Sequence, residues 1–124
     1  MWSGSGLSAL SVDRGPTQNA LSANGNSILR VPTLALDGLE FPPPDLIKMD
    51  VEGAESAVLE GAGQMLHDRR PIVFVALHGN DQREICFEFL NASKYALFEL
   101  DGTKITRLIQ SDEIYALPLE LNQA

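Results

Sequence analysis

Two short apolar runs, LIKM at 46–49 and IVFVAL at 72–77, bracket a segment with helical spacing. The second run is continuous, rich in β-branched residues and preceded by Pro71. Such a run suits a strand covered on both faces, as strands of parallel sheets are. Between the runs, apolar residues recur at 51, 54, 58, 62 and 65, with 59 and 66 beside them. That spacing predicts a helix over 51–67. Gly61 and Gly63 each weaken it by about 1 kcal/mol relative to alanine, and Arg69-Arg70-Pro71 ends it with basic charge at its negative pole. A strand, a single helix and a second strand fold as a right-handed crossover that leaves the strands parallel and side by side.

The pattern continues downstream. Residues 81–93 read as a second helix with Ile85, Phe89 and Leu90 inward. A strand over 95–100 follows, then a turn at Asp101-Gly102, a partner strand over 105–109 and a last strand over 113–119. Alternating strands and helices imply an α/β fold with a parallel sheet, here closed by an antiparallel C-terminal hairpin at its edge. Upstream the composition changes. Residues 1–27, rich in Ser, Gly and Asn, read as a flexible or loop-rich arm, with a turn at Asn24-Gly25-Asn26. An extended segment is expected at 28–31, a helical turn or short strand at 34–39, and a stiff connector at Pro42-Pro43-Pro44. The expected division is an arm over 1–27 and one domain over 28–124.

A chain of 124 residues suits a single domain. Its net charge of −8 and scattered basic residues argue against a nucleic-acid partner. Cys86 is the only cysteine, which excludes a disulfide framework within the chain and fits a reducing compartment. It falls in an apolar helical pattern and reads as a small core residue. No apolar run approaches the roughly 20 residues that span a bilayer, and MWSGSGLSAL lacks the basic and apolar regions of a signal peptide. A cytoplasmic location is expected.

In an open α/β sheet, ligands bind beyond the carboxyl ends of the strands. That rule alone selects Asp50, at the end of the first run, and His78, at the end of the second. Parallel neighbours would bring the two to one crevice. Glu52, before Gly53, stands at its mouth. Asp50 could also cap the following helix, and Glu55 reads as a first-turn acid favoured by the helix dipole. Lys48, inside the strand, must pair or snorkel. His67 suits a helix C-terminus and carries no expected chemistry. No GxGxxG, P-loop or GxSxG motif occurs. Asp50, Glu52 and His78 could hold a hard metal such as Mg²⁺, although no metal site is expected.

DLIKMDVEGAESAVLEGAGQML followed by RPIVFVALHG closely resembles the FkbM family of S-adenosylmethionine-dependent methyltransferases. The family pattern IKiDvEGaE falls on Ile47 to Glu55, its vLkGa on Val58 to Ala62, and its rPiivvElH on Arg70 to His78. The match is drawn over roughly residues 28–100. It implies a Rossmann-like class I methyltransferase fold whose last strand runs antiparallel, with 46–50 and 72–77 as the fourth and fifth strands. It implies S-adenosylmethionine as cofactor, with Asp50 near its methyl group, and a small-molecule or sugar hydroxyl as acceptor. Asp50, Glu52 and His78 become the catalytic candidates, with His78 as general base. Ala76 stands where the family often has Glu. The family's glycine-rich cofactor loop and ribose-binding acid belong to earlier strands and are not found here, so the chain is expected to be a partial domain, the C-terminal part of a longer enzyme. Two other readings stay open. One is a non-catalytic remnant that associates with a partner chain, or with itself, through an exposed sheet edge. The other is a small metal-dependent hydrolase using Asp50, Glu52 and His78.

Overall fold

The computed structural model describes residues 6–11, 20–22 and 29–122, and side chains from residue 32 to 122. The chain forms β1 (Gly6–Ser11), β2 (Ala20–Ser22), β3 (Leu29–Thr33), a 3-10 turn (Leu36–Gly38) and β4 (Leu46–Met49). Next come α1 (Glu55–Gly61), α2 (Gly63–Asp68), β5 (Ile72–Ala76), α3 (Asn80–Ala92), β6 (Tyr95–Glu99), β7 (Lys104–Ile105) and β8 (Glu113–Pro118).

β1 pairs antiparallel with β2 and β3 in a three-stranded sheet. Composition predicts loop over 1–27, yet Gly6–Ser11 and Ala20–Ser22 are strands. GLSALS carries no β-branched residue, and backbone pairing to neighbours distant in sequence is invisible to composition. The turn expected at 24–26 lies outside the described residues.

The second sheet has five strands in the order β4-β5-β8-β6-β7. β4 and β5 pair in parallel, with Met49 opposite Val75, as a single crossover requires. β8 runs antiparallel to both β5 and β6. The closing strand is therefore interior, not at the edge. The edge hairpin is β6–β7, with Leu97 opposite Ile105. Pairing between β5 and β6 alone would leave Val73 and Leu97 short of neighbours. β8 fills that place with Ile114 and Ala116, both fully buried.

Alternation sorts each strand into two faces. Val73, Val75, Leu77, Leu97, Ile114 and Ala116 join Leu59 and Leu66 of the α1–α2 segment and Cys86 and Leu90 of α3 in one core. On the opposite face Phe74, Tyr115 and Phe98 stack, with ring centroids 5.5 and 5.2 Å apart. Lys48 lies exposed on that face. α3 turns Gln82, Cys86 and Leu90 inward, a strict i, i+4 stripe that leaves Ile85 43% exposed. Ile85, expected inside, lies about 100° around the helix axis from Cys86, and that one step puts it on the solvent face.

The expected helix over 51–67 is two helices, and it starts late. Glu52 and Gly53 have φ of 51° and 96°, values a right-handed helix cannot hold. α1 begins only at Glu55, and Ala62, with φ −112°, separates it from α2. Gly61, the last residue of α1, lets the chain at Ala35 pass close by: a Cβ there would meet Ala35 at 3.4 Å. Asp37 then accepts from the backbone N–H groups of Gln64 and Met65 at 2.8 and 2.9 Å. It satisfies two of the donors that open α2.

Candidate functional site

Parallel pairing puts the tips of β4 and β5 at one sheet edge. Asp50 directly follows β4, and His78 is two residues past β5. Between β5 and His78, the Leu77 N–H donates to the Asp112 carbonyl at 2.7 Å, which holds the strand end against the segment leading into β8. Gly79 follows with φ 96° and ψ 155°, a combination open essentially to glycine alone. It turns the chain into α3 and leaves the imidazole over the strand tips.

The five-residue passage from Asp50 to Ala54 brings the acids to that ring. His78 Nε2 lies 3.6 Å from Asp50 Oδ1 and 3.6 Å from Glu52 Oε1. Its other nitrogen, Nδ1, lies 2.5 Å from Glu55 Oε1. Asp50 and Glu52 are solvent-exposed, His78 is half-buried, and Glu55 is fully buried. Glu55 Oε1 also accepts from the Gly53 N–H at 3.0 Å. Its Oε2 is buried with no hydrogen-bond partner among the described residues. The Glu55 hydrogen bond raises the His78 pKa above its ordinary value; burial opposes this, and the Glu52, Glu55 and Asp50 charges add to it.

Asp50, Glu52 and His78, the three residues selected from the sequence, thus converge. The capping role considered for Asp50 does not hold: the residue before α1 is Ala54, and no side chain caps it. Glu55 is more than a first-turn acid. Sequence spacing could not show this, because its partner lies 23 positions away across a crossover. His67 is exposed and paired with its neighbour Asp68 at 2.7 Å.

An open cleft of about 920 Å³ continues from Asp50 and His78 past Gly79, Arg83, Glu99, Asp101, Ser111 and Asp112. Its one cation among these, Arg83, is engaged by Asp112 and by Asn80. Ser111 donates to Glu99. The lining is acidic and rich in hydrogen-bonding groups, which suits hydroxylated or cationic groups and disfavours anions. Arg83 and Asp112 escaped the strand-end rule because they come from α3 and from the segment that enters β8, whereas Glu99 is the last residue of β6 and stands where that rule points. Asp50, Glu52 and His78 each offer one donor atom, all within 4.8 Å of one another. Exposed acids gather this way commonly without a bound cation.

The profile of the methyltransferase FkbM domain matches residues 2–102, well over half of the chain. Comparison with curated proteins gave no match, and neither did comparison with solved structures. Among the described residues, no helix is long and apolar enough to cross a membrane.

Proposed function

The chain belongs to the FkbM methyltransferase family, and from that premise we propose that it takes part in methyl transfer from S-adenosylmethionine to a hydroxyl oxygen of a small molecule or sugar. The observation that carries this reading is the placement of His78 Nε2 3.6 Å from both Asp50 and Glu52 at the carboxyl ends of parallel strands. The strand order β4-β5-β8-β6-β7, with one antiparallel strand inside, supports a Rossmann-like reading of the sheet.

The donor set fits the cationic end of the cofactor. Asp50 and the acidic lining of the cleft suit a sulfonium and an ammonium group, and Asp50 is the residue that would meet them. When bound, the cofactor supplies an electrophilic methyl group. The chain's own residues handle the acceptor. Asp50 and Glu52 accept hydrogen bonds from neighbouring hydroxyls of the acceptor, which fixes the reacting oxygen for in-line attack and leaves its own proton to His78. His78 Nε2, when neutral, takes the hydroxyl proton. The resulting imidazolium then faces Asp50 and Glu52 on one side and Glu55 on the other, so the charge it gains is stabilised where it forms. Ala76 keeps the cleft open beside Asp50.

Calorimetry with S-adenosylmethionine, followed by transfer of labelled methyl to a panel of hydroxylated acceptors, tests the proposal. Saturable binding is expected, and Asp50→Asn should reduce transfer by about 100-fold, the scale of a lost alignment, with an unchanged melting profile. An Asp50→Asn enzyme as fast as the wild type would remove Asp50 from the mechanism.

A second reading, association through the sheet edge, is favoured by β4. It pairs with β5 on one side only among the described residues, and Leu46 on it is 50% exposed. Such edges recruit other strands. Sedimentation across a concentration series that shows only monomer would end this reading.

A further inference from the structure

Glu55 has a burial that neither a cap nor a dipole contact requires. Its side chain is 0% exposed, whereas Asp81, the first-turn acid of α3, stands in solvent. Withdrawing a carboxylate from water costs several kcal/mol, and a well-packed apolar side chain of similar volume usually serves stability as well or better. The Gly53 N–H is one neutral donor, too little to offset that cost. The remaining contact is His78 Nδ1, at 2.5 Å.

We infer that Glu55 is a positioning residue for His78: it holds the neutral imidazole with its proton on Nδ1 and so presents a bare Nε2 to Asp50, Glu52 and the cleft. The role within the reaction rests on the methyl-transfer reading; the tautomer does not. Oε1 of Glu55, already accepting from the Gly53 N–H, is the oxygen that faces Nδ1, so Nδ1 is the donor of that contact. In the neutral ring the other nitrogen is then an acceptor. That is the atom on the cleft side, 3.6 Å from Asp50 and Glu52. Both carboxylates would repel a lone pair, so without Glu55 the ring would turn its proton toward them. Asp50 and Glu52 thus favour the wrong tautomer for a base, and the buried contact opposes them.

The frame around Glu55 is built to hold it still. The N–H of Ser56 donates to Gln82 Oε1 at 2.9 Å, which ties the start of α1 to α3. The same helix begins at Gly79–Asn80, directly after His78. One short path, Glu55–Ser56–Gln82 and back along one turn of α3 to His78, therefore fixes both partners. The other titratable groups near the pair are Cys86, whose thiol feels the Glu55 charge from inside the core, and Arg83 and Asp112, which engage each other at the cleft.

Ring nitrogen shifts in the ¹⁵N-labelled chain read the tautomer directly. The protein has two histidines, and His67→Asn assigns the signals. In the wild type above the titration of His78, the neutral ring is expected to be predominantly Nδ1–H. In Glu55→Leu, whose side chain cannot accept, it should revert to predominantly Nε2–H, with folding checked by a melt. A predominantly Nε2–H ring in the wild type overturns the inference and needs no variant to fold. So does an Nδ1–H ring that persists unchanged in a folded Glu55→Leu. Absence of S-adenosylmethionine binding in the same samples, with the tautomer as expected, would sink the donor assignment and leave the Glu55–His78 relation standing.

Discussion

Gly79 and Gly53 form a controlled pair. Both have φ of 96°, Gly79 lining the cleft and Gly53 following Glu52, and their surroundings differ. A Cβ at Gly53 would meet nothing within 4 Å; at Gly79 it would meet Asp81 Oδ1 at 2.8 Å. Replacing either with alanine forces an L-residue into a region it rarely holds, at a cost of about 1–3 kcal/mol. Gly79 should fall at the top of that range, because ψ 155° places it in the glycine-only region. The Asp81 contact adds little to stability, since a carboxylate tip can rotate away. For a domain of this size, 1 kcal/mol corresponds to roughly 4 °C of melting temperature. Gly79→Ala should therefore lower Tm by about 8–12 °C, and Gly53→Ala by less. Function should separate them further. Gly79 is covalently next to His78, so relaxing its strain moves the ring away from Glu55, and the Nδ1 signal should lose its tautomer preference even at temperatures where the chain is folded. Thermal melts by circular dichroism and the nitrogen shifts give both readouts. If Gly79→Ala melts within about 2 °C of the wild type with the His78 signals unmoved, the claim that this turn sets the ring is wrong.

Arg70 donates to the carbonyls of Leu66, Ser93 and Lys94 at 3.1, 2.8 and 2.7 Å, grips Glu120 through two nitrogens, and lies 4.5 Å over the Tyr95 ring. Arg70→Met keeps the stem and loses the donors; at roughly 1.5–3 kcal/mol for a charged hydrogen bond, and without full additivity, urea denaturation should show a loss of about 3 kcal/mol, and a loss below about 1 would refute the clamp. The Glu55 hydrogen bond raises the His78 pKa above its ordinary value, so its contribution to stability is fully present below about pH 6.5, the ordinary histidine value, and is lost as pH rises through the folded value. Denaturation free energy should decline across that window, and His78→Asn should flatten the decline; a slope identical in the variant would assign it to other groups. Burial, with the Glu55 charge, pushes the Cys86 thiol up to about 12, so iodoacetamide at pH 8 should label the chain in urea but not when folded. Labelling of the folded chain at the unfolded rate would show that α3 opens readily.

What the sequence made legible follows from period and sign of pattern. IVFVAL is read correctly because a strand buried on both faces must be continuously apolar, and Ile72–Ala76 is such a strand. The parallel pairing with β4 follows from the length of the segment between them. The same logic brings Asp50 and His78 to one edge. It fails where partners are remote. Nothing in EIYALP marks it as an interior strand, since its alternating burial depends on β5 and β6 flanking it. Ile85 and Cys86 are adjacent apolar residues, and the positions of α1 and β6 against α3 decide that Cys86 is the buried one.

The least legible feature is also the one the site depends on. Apolar spacing from Val51 onward predicts a helix, and in a helix Glu52 and Glu55 would stand one turn apart on one face. Both would then approach His78 from the same side. The left-handed pair Glu52-Gly53 interrupts that geometry and delays α1 until Glu55. As a result Glu52 reaches Nε2 from the solvent side and Glu55 reaches Nδ1 from the core side. Two acids three residues apart face opposite nitrogens of one ring: Glu55 is hydrogen-bonded to Nδ1, and Glu52 lies 3.6 Å from Nε2. A glutamate tolerates φ of 51° poorly, so Gly53 at φ 96° beside it has to absorb the rest of the turn. Acids crowded about a glycine at a strand end are thus not a cap: the glycine separates them, and their separation is what lets one imidazole be anchored on one side and open on the other.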